Sequence, residues 1–237
     1  MRAPPGEQYP QTDVHSHHVI QVTLALTGTV TFESDTGRAS GVALVVAPDA
    51  EHAFAGTGLV AHLFVAPEGP AGRRIAGALC TNGPVTHIPA ELLGDLPERL
   101  RATFESPKHT DEDLRAVCRD LIARLAQDPQ RARRVDARIT RLVAWVTPRL
   151  QQPVTLDDAA AVVGLSAGRT RHLFVQQTGL PFRTYLLWLR LQRAVELFAA
   201  GTPLTEAAHA AGFADSAHLS RTFRRMFGIA AATLRVS

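Results

Sequence analysis

Residues 156–166 read Leu-Asp-Asp-Ala-Ala-Ala-Val-Val-Gly-Leu-Ser, and residues 204–215 read Leu-Thr-Glu-Ala-Ala-His-Ala-Ala-Gly-Phe-Ala-Asp. The two stretches are copies of one pattern, because their glycines, Gly164 and Gly212, lie 48 residues apart. A phenylalanine and a second glycine follow each copy at a repeat of 49 residues; they are Phe174 and Gly179, then Phe223 and Gly228. The one-residue difference falls between the first glycine and the phenylalanine, where the second copy has a longer turn.

Each element of the pattern suits a pair of helices joined by a tight turn. Glycine takes the positive φ that ends a helix without steric cost, and alanine lets a second helix cross closely. Serine, threonine and aspartate cap helix N-termini. The predicted caps are Thr155 and Ser166 in the first copy, and Thr202 or Thr205 with Asp215 in the second. The pattern predicts a helix-turn-helix unit, present twice.

One long helix is predicted between the two copies. The stretch Phe182–Ala200 has apolar residues at helical spacing, and a helix of about 18 residues is ~27 Å long. Recognition helices at the two ends of such a rod are placed to meet the major groove about 34 Å apart, which is one turn of DNA.

Charge divides unevenly along the chain. Residues 1–130 contain 10 Lys and Arg against 16 Asp and Glu, a balance of −6, whereas residues 131–237 contain 15 Arg, no Lys and 6 Asp and Glu, a balance of +9. A solvated arginine-rich surface would give the same totals as a surface that binds a polyanion. The helix-turn-helix repeat favours the second interpretation, with double-stranded DNA as the partner.

Residues 138–235 resemble the DNA-binding domain of the AraC/XylS family of transcription regulators. The matching residues are Ala160, Gly164-Leu165-Ser166, Phe174, Thr178-Gly179, Tyr185, Arg190-Leu191, Ala194, Ala208, Gly212-Phe213, Asp215-Ser216, Leu219-Ser220-Arg221, Phe223-Arg224, Phe227-Gly228 and Arg235. The sequence departs from the family pattern at Ala231, Ala207, Thr170 and Gly168, which replace a proline, a larger aliphatic residue, a core leucine and a better helix former. Glycine inside a helix costs about 1 kcal/mol against alanine. Together these departures are expected to lower the stability of the domain and the base-reading strength of the first recognition helix.

The resemblance also implies which side chains contact DNA. Base edges are expected to be read by Arg171 and His172 on the first recognition helix and by Ser216, His218 and Arg221 on the second. Arg169 lies on the same outward face, and Arg224 and Arg225 are expected on phosphates. Arginine is suited to base reading because its guanidinium addresses guanine bidentately.

The first part of the chain has short apolar runs broken by turn residues, which predict an antiparallel β-barrel or sandwich. The runs are Val19–Thr27, Val30–Glu33, Val42–Ala47, Leu59–Val65 and, after a loop-like stretch at Pro67–Gly72, Val85–Ile88. The apolar period then becomes helical in Glu91–Phe104 and Asp111–Gln127, and these helices either pack on the barrel or form a dimer seam.

The predicted fold class is therefore α+β with two domains. The sensor barrel covers residues 1–89, a helical segment for packing or dimerisation covers residues 90–130, and the DNA-binding domain covers residues 131–237. The two cysteines, Cys80 and Cys118, are too far apart in sequence for a zinc ribbon, and no run approaches the ~18–20 apolar residues of a membrane helix. A cytoplasmic protein without a membrane partner is expected.

Histidines near the start form a second motif. His15-Ser16-His17, Gln21 and Gly28 give H-x-H-x3-Q-x6-G, which resembles the first cupin motif with glutamine where metal-binding cupins carry glutamate. The spacing of Gly41 and His52 resembles the second cupin motif, and AraC-type regulators often carry such a barrel as their sensor.

Two uses of this motif stay open. His15, His17 and His52 are able to hold a divalent transition metal, with Gln21 as a weaker oxygen ligand. The same four side chains could instead line the pocket of a small-molecule effector. His18 is expected to point to the opposite face from His17, because neighbouring side chains alternate along a strand.

The sequence as a whole favours a DNA-binding transcription regulator that is not an enzyme and is controlled by an effector in its barrel. A second copy of the chain and RNA polymerase are further candidate partners. The alternatives are a metal-dependent cupin enzyme with an appended DNA-binding module, for which His62 and Glu51 are the nearby acid/base candidates, and an architectural protein that binds all duplexes alike.

Overall fold

The chain divides into two compact units, Met1–Arg134 and Val135–Ser237. The computed structural model describes the backbone of residues 8–9 and the full residues 11–126 and 136–231. The expected domain boundary between residues 130 and 131, and Arg235 of the family pattern, lie outside the described residues.

The N-terminal unit contains two antiparallel sheets. Among the described residues its strands are β1 Gln8–Tyr9, β2 Ile20–Ala25, β3 Val30–Ser34, β4 Gly37–Gly41, β5 Ala43–Val46, β6 His52–Thr57, β7 Val60–Val65 and β8 Val85–His87. One sheet has the order β1-β6-β3-β4, and the other has the order β7-β2-β5-β8. The predicted antiparallel β architecture is confirmed, but the strands form two separate sheets rather than one closed barrel.

Strand β5 of the second sheet is buried on both faces. All four of its residues are buried. Ala43 and Val45 pack into a core shared with the helices of this unit, whereas Leu44 and Val46 pack with Phe32 and Phe54 of the first sheet. A strand covered on both sides is apolar throughout, without alternating polar residues. The sequence of β5, Ala-Leu-Val-Val, has this pattern.

Four helices belong to the N-terminal unit in the described residues: α1 Pro70–Leu79, α2 Ala90–Leu93, α3 Leu96–Glu105 and α4 Asp111–Leu125. Helix α4 begins with a capping box, in which the Thr110 hydroxyl accepts from the Asp113 backbone N–H and the Asp113 carboxylate accepts from the Thr110 N–H. Such reciprocal caps satisfy two otherwise unpaired donors.

Three local predictions for this unit were wrong. Pro67–Gly72 is not a loop throughout, because α1 begins at Pro70, a residue suited to the first turn of a helix. The predicted helix Glu91–Phe104 is broken at Gly94, which has a φ of 56°. The predicted runs leave out residues 48–58, but His52–Thr57 form β6, which pairs with β3 and β1.

The regular elements described in the C-terminal unit are all helical. Its helices are α5 Ala137–Val146, α6 Leu156–Val163, α7 Ala167–Thr178, α8 Phe182–Ala199, α9 Leu204–Ala210 and α10 Ser216–Phe227, with a short 3-10 turn at Thr147–Arg149. The predicted long helix between the repeats is confirmed as α8. No helix among the described residues combines the length and the apolar character needed to cross a bilayer.

The core of the first half of this unit forms around Phe174, which is fully buried. The Phe174 ring lies 5.2 Å, between ring centroids, from both Phe182 and Tyr185 in near-perpendicular geometry, the arrangement that aromatic pairs prefer. Apolar residues of α5, including Ile139 and Leu142, complete this core.

Candidate functional site

The first helix-turn-helix unit consists of α6 and α7, and its ends match the predicted caps. Thr155 forms a capping box with Asp158 at the start of α6, and Gly164 ends that helix with a φ of 68°. The Ser166 hydroxyl then accepts from the Arg169 backbone N–H at the start of α7. The turn is therefore fixed at both of its ends.

The second unit consists of α9 and α10, and it repeats most of this geometry. Asp215 caps α10 by accepting from the His218 backbone N–H at 2.6 Å, and Gly212 has a φ of 85° in the turn. The N-cap of α9 is Pro203, which makes no side-chain cap bond. The prediction of Thr202 or Thr205 as that cap was wrong.

The outward faces of α7 and α10 carry exposed cations. Six of the eight predicted DNA-contacting residues are exposed. They are Arg169, Arg171 and His172 on α7, and Arg221, Arg224 and Arg225 on α10. Each helix keeps its phenylalanine, Phe174 or Phe223, on the buried face. The N–H groups at the start of each helix and these side chains suit phosphate and base-edge contacts.

Ser216 and His218 are less available than the other predicted residues. Both are half-buried, and the His218 ring packs against Phe213 with 5.2 Å between ring centroids in edge-on geometry. The sequence spacing placed His218 on the outward face, but it gave no sign that Phe213 in the turn would cover part of the ring.

The two recognition helices differ in character near their C-terminal ends. Helix α10 carries Arg224 and Arg225 in its last turn, whereas α7 has no basic residue there. At the repeat of 49 residues Val175 is the counterpart of Arg224, and Val175 is 39% exposed. The second helix therefore presents more charge to a polyanion, and the first presents an apolar contact of the kind that thymine methyl groups accept.

In the N-terminal unit the predicted histidines come together. One ring nitrogen each of His15, His17 and His52 lies within 4.8 Å of the others. The ring centroids of His15 and His52 are 4.3 Å apart, and those of His17 and His52 are 5.0 Å apart. Gln21 reaches the same cluster, since its Oε1 lies 2.7 Å from Nε2 of His17.

Backbone carbonyls fix how these rings are protonated. The Nδ1 atoms of His15, His17 and His52 lie 2.8, 3.0 and 2.9 Å from the carbonyl oxygens of Asp13, Val19 and Ala50. A carbonyl only accepts, so each Nδ1 carries the proton and each neutral ring has its lone pair on Nε2. The Nε2 atom of His52 is buried without a hydrogen-bond partner.

Burial keeps these rings uncharged. It lowers the pKa of His15 and of His17. Burial, together with the charges that His17 and His15 would carry, lowers the pKa of His52 to about 3. Neutral imidazole with a free nitrogen is the form that binds transition metals.

Two further side chains, His62 and Thr23, belong to this site and were not assigned to it from the sequence. Nδ1 of His62 lies 3.1 Å from the Gln21 amide nitrogen and 3.0 Å from the Thr23 hydroxyl. These contacts follow from the register of the sheet, in which Thr23 of β2 pairs with His62 of β7. The sequence alone suggested His62 only as an acid/base candidate, because the pairing of β2 with β7 was not predictable.

His18 contacts a different set of residues from its neighbour His17, but both precede β2, so the strand alternation behind the prediction does not apply to them. Its ring nitrogens lie 3.5 Å from an Asp49 oxygen and 3.6 Å from a Glu68 oxygen. Burial alone would lower the pKa of His18, but the two carboxylates outweigh it and raise the pKa to about 8. His18 is therefore a cation that anchors the loop before β2 and is not a further ligand of the cluster.

Residues 159–236 match a family model described as a helix-turn-helix domain, and this stretch begins inside α6 and includes α7, α8, α9 and α10. The C-terminal unit carries an AraC-type helix-turn-helix domain. The AraC-type domain accounts for the repeat, for the long helix α8 between its copies, and for the exposed cations of α7 and α10.

Curated relatives share this AraC-type domain. The transcriptional activator RhaS of Klebsiella pneumoniae is 37% identical over 93 residues, covering 39% of this chain and 34% of that protein. The uncharacterised transcriptional regulator YidL of Escherichia coli is 35% identical over 105 residues, covering 44% of this chain and 34% of that protein. The chain thus matches about a third of the length of these relatives.

The fold outside the AraC-type domain also has a counterpart among solved structures. ToxT of Vibrio cholerae is 12% identical with a TM-score of 0.58, over 95% of this chain and 91% of that one. ToxT has also been solved with an unsaturated fatty acid bound, and that structure has a TM-score of 0.56 at 10% identity. At this identity the likeness concerns the fold alone.

Proposed function

We propose that this chain is a sequence-specific DNA-binding transcription regulator that acts in the cytoplasm. The observation that carries the proposal is the pair of recognition helices, α7 and α10, in one AraC-type domain, each with exposed cationic side chains on its outward face. The relatives RhaS and YidL are named as a transcriptional activator and a transcriptional regulator.

The exposed residues divide by the contact that each can make. Arg171 and His172 on α7 and Arg221 on α10 are assigned to base edges, where a bidentate arginine reads guanine. Arg169, Arg224 and Arg225 are assigned to phosphates. Ser216 and His218 remain in the proposed interface, with smaller contributions because they are half-buried.

In vitro selection of bound DNA from a random pool tests this proposal. The full chain is expected to enrich a motif made of two unlike half-sites, because the outward residues of α7 and α10 differ. Competition with random DNA at fixed salt then separates a specific reader from an architectural protein, which binds all duplexes alike and loses affinity with salt throughout. A pool without enriched sequence would contradict the proposal.

The N-terminal unit is proposed as the part that senses a ligand, and the histidine cluster favours a transition-metal ion as that ligand. His15, His17 and His52 would hold the ion through Nε2, and Gln21 would offer an oxygen. The residues fit such a group in two respects. The Nε2 atom of His52 is buried without a partner, and the three Nδ1–H groups are bonded to backbone carbonyls, the outer-shell arrangement that orients metal-binding histidines.

The contact between His17 and Gln21 gives a further reason. Nε2 of neutral His17 and Oε1 of Gln21 are both acceptors, yet they lie 2.7 Å apart. A cation between them satisfies both atoms. The reversed amide orientation does so too, since the Gln21 NH2 group then donates to His17 while its oxygen accepts from Thr23 and His62.

An organic effector is the second candidate for this unit. ToxT, which has the same fold, has been solved with an unsaturated fatty acid and with a synthetic butenoic acid, and the rings of Phe54 and Phe64 lie beside the histidines here. Metal analysis of protein purified without a tag distinguishes the two. One equivalent of zinc, iron, nickel, cobalt or manganese supports the metal, and sub-stoichiometric content of all five favours the organic effector.

A second copy of the chain and RNA polymerase are proposed as partners of the regulator. Helices α3 and α4 pack into the core of the N-terminal unit through Leu100 and Leu121, and their outer faces are charged. Sedimentation of the full chain, with and without the selected DNA, measures whether a dimer forms.

A further inference from the structure

The two halves of the AraC-type domain are joined at a second place besides helix α8. The segment 150–152, which follows the 3-10 turn before α6, lies between the middle of α8 and the turn that joins α9 to α10. We refer to this segment, together with Arg190 of α8, as the junction.

Arg190 binds one side of the junction. Its Nε–H donates to the Leu150 carbonyl at 2.9 Å, and Nη2 donates to the Gln152 carbonyl at 3.4 Å. Burial lowers the pKa of the guanidinium, yet arginine keeps its charge at neutral pH. Hydrogen bonds from a charged donor to carbonyl oxygens are stronger than neutral ones, so the segment is held firmly against α8.

The second helix-turn-helix unit contacts the other side of the junction. The Gln151 side-chain amide donates to the Ala210 carbonyl at 2.7 Å, at the end of α9. Gly212 lies against the Leu150 carbonyl so closely that a β-carbon there would come within 2.3 Å of the oxygen. The turn of the second unit thus rests directly on backbone that precedes the first.

Leu150 ties this contact to the first half of the domain. Its side chain is 7% exposed and belongs to the same core as Phe174 and Ile139, whereas its carbonyl receives Arg190 and faces Gly212. The side chain of Leu150 therefore packs into the core beneath α7, while its carbonyl group contacts the turn before α10.

The junction adds to what α8 alone determines about the relative orientation of the two helix-turn-helix units. The 18 residues of α8 set the separation of the two units along its axis, but the short connection to α9 passes through Gly201, with a φ of 88°, and Pro203. Helices α9 and α10 also pack on α8, where the ring centroids of Trp188 and Phe227 lie 6.3 Å apart. That packing attaches the second unit to α8, whereas the junction attaches its turn directly to the segment before α6 and so adds a constraint on the direction in which α10 points relative to α7.

We infer that Arg190 and the 150–152 segment set the spacing and phase of the two DNA half-sites that this domain accepts. Arg190 is a positioning residue in this inference, because it acts through the junction and its contacts to the protein leave base reading to α7 and α10. The inference rests on the proposed DNA-binding function.

Half-site spacing is the measurement that tests it. Binding of the full chain is measured on the motif selected by the wild type and on variants with one or two base pairs inserted or removed between the half-sites. The variants are Arg190→Ala and Gln151→Ala, and the control is Arg193→Ala, which removes the same charge from the same helix at an exposed position paired with Glu196.

The wild type and Arg193→Ala are expected to prefer the selected spacing by about tenfold, because rigid linkage gives a high effective concentration at one geometry only. In Arg190→Ala and Gln151→Ala this ratio falls toward one, while the base preference inside each half-site is unchanged. Gln151 is exposed, so Gln151→Ala is expected to fold and still tests the inference if Arg190→Ala does not fold.

A uniform loss of affinity at every spacing, with the wild-type preference retained, would overturn the inference and leave the junction a purely stabilising contact. That outcome leaves the proposed function intact, since the motif would still be selected. Failure of the wild-type chain to enrich paired half-sites is a separate result, and it would contradict the proposed function itself.

Discussion

Gly212 is in close contact with the carbonyl oxygen of Leu150, and a β-carbon on Gly212 would lie only 2.3 Å from that oxygen. Gly212 also has a φ of 85°, in the left-handed region that L side chains rarely adopt. The glycine of the second repeat is therefore required by both its backbone conformation and its neighbour.

Gly212→Ala is expected to lower the free energy of unfolding of the C-terminal unit by about 2–5 kcal/mol, from left-handed strain and from overpacking. The matched control is Gly164→Ala, since Gly164 has a φ of 68° but open space around it, and it should cost about 1–2 kcal/mol. Urea denaturation followed by tryptophan fluorescence measures both, because the two tryptophans, Trp145 and Trp188, lie in this unit. Equal losses in the two variants would contradict the close contact with Leu150.

Thr170 is a weak point in the core of the first recognition helix. It is fully buried, and its hydroxyl has no hydrogen-bond partner. Since an unsatisfied buried hydroxyl costs roughly 1–3 kcal/mol, Thr170→Val is expected to raise the free energy of unfolding by about 1 kcal/mol.

Thr178→Val, on the same helix, is expected to lower the free energy of unfolding instead of raising it. The Thr178 hydroxyl donates to the Phe174 carbonyl at 2.9 Å and accepts from the Leu180 N–H at 3.2 Å, so its removal should cost about 1 kcal/mol. The same denaturation experiment compares the two variants. A loss of stability in both would show that the Thr170 hydroxyl is satisfied.

Arg221 is expected to contribute most to base reading on α10. Its side chain is exposed on the outward face, opposite the buried Phe223. Arg221→Ala should cost about 1–3 kcal/mol on the selected site and relax the preference at one base position. Fluorescence anisotropy on the selected site and on its single-base variants measures both effects, with Arg193→Ala as the charge-matched control. If the preference at every position is kept, Arg221 contacts the backbone and not a base.

His52 is the residue on which the metal proposal depends, because its Nε2 is buried without a hydrogen-bond partner. Titration of the full chain with Co²⁺, followed by its visible absorption, is expected to give one site. Loss of an outer-shell partner costs roughly 10–100-fold in metal affinity, and loss of a ligand in His52→Ala should cost at least as much. The exposed His87 supplies the control variant His87→Ala. Equal affinity in His52→Ala and the wild type would exclude these three imidazoles as the ligands.

The repeat made the C-terminal unit predictable from sequence to within a residue or two. Helix caps are local, so Thr155, Ser166 and Asp215 could be assigned from the residues that follow them. The junction could not be predicted, because it joins Leu150 to Arg190 and Gly212 across 40 and 62 residues, and these contacts depend on how the helices pack.

The N-terminal unit was less predictable for a related reason. The strands β2 and β5 are apolar runs and were expected, whereas β4, Gly37–Gly41, consists of small and polar residues that carry no strand signal. The motif around His15 and His17 found the histidine cluster, but it omitted His62, which enters through the pairing of β7 with β2. Motif spacing records contacts within one segment, whereas sheet register decides which segments meet.

Hydroxyl-radical footprinting of the full chain on its selected DNA tests the central claim most directly, that α7 and α10 read one face of a duplex together. Two protected stretches should appear, separated by about 10 base pairs and therefore lying on the same face. A single protected stretch, or two stretches half a turn out of phase on opposite faces, would contradict the claim.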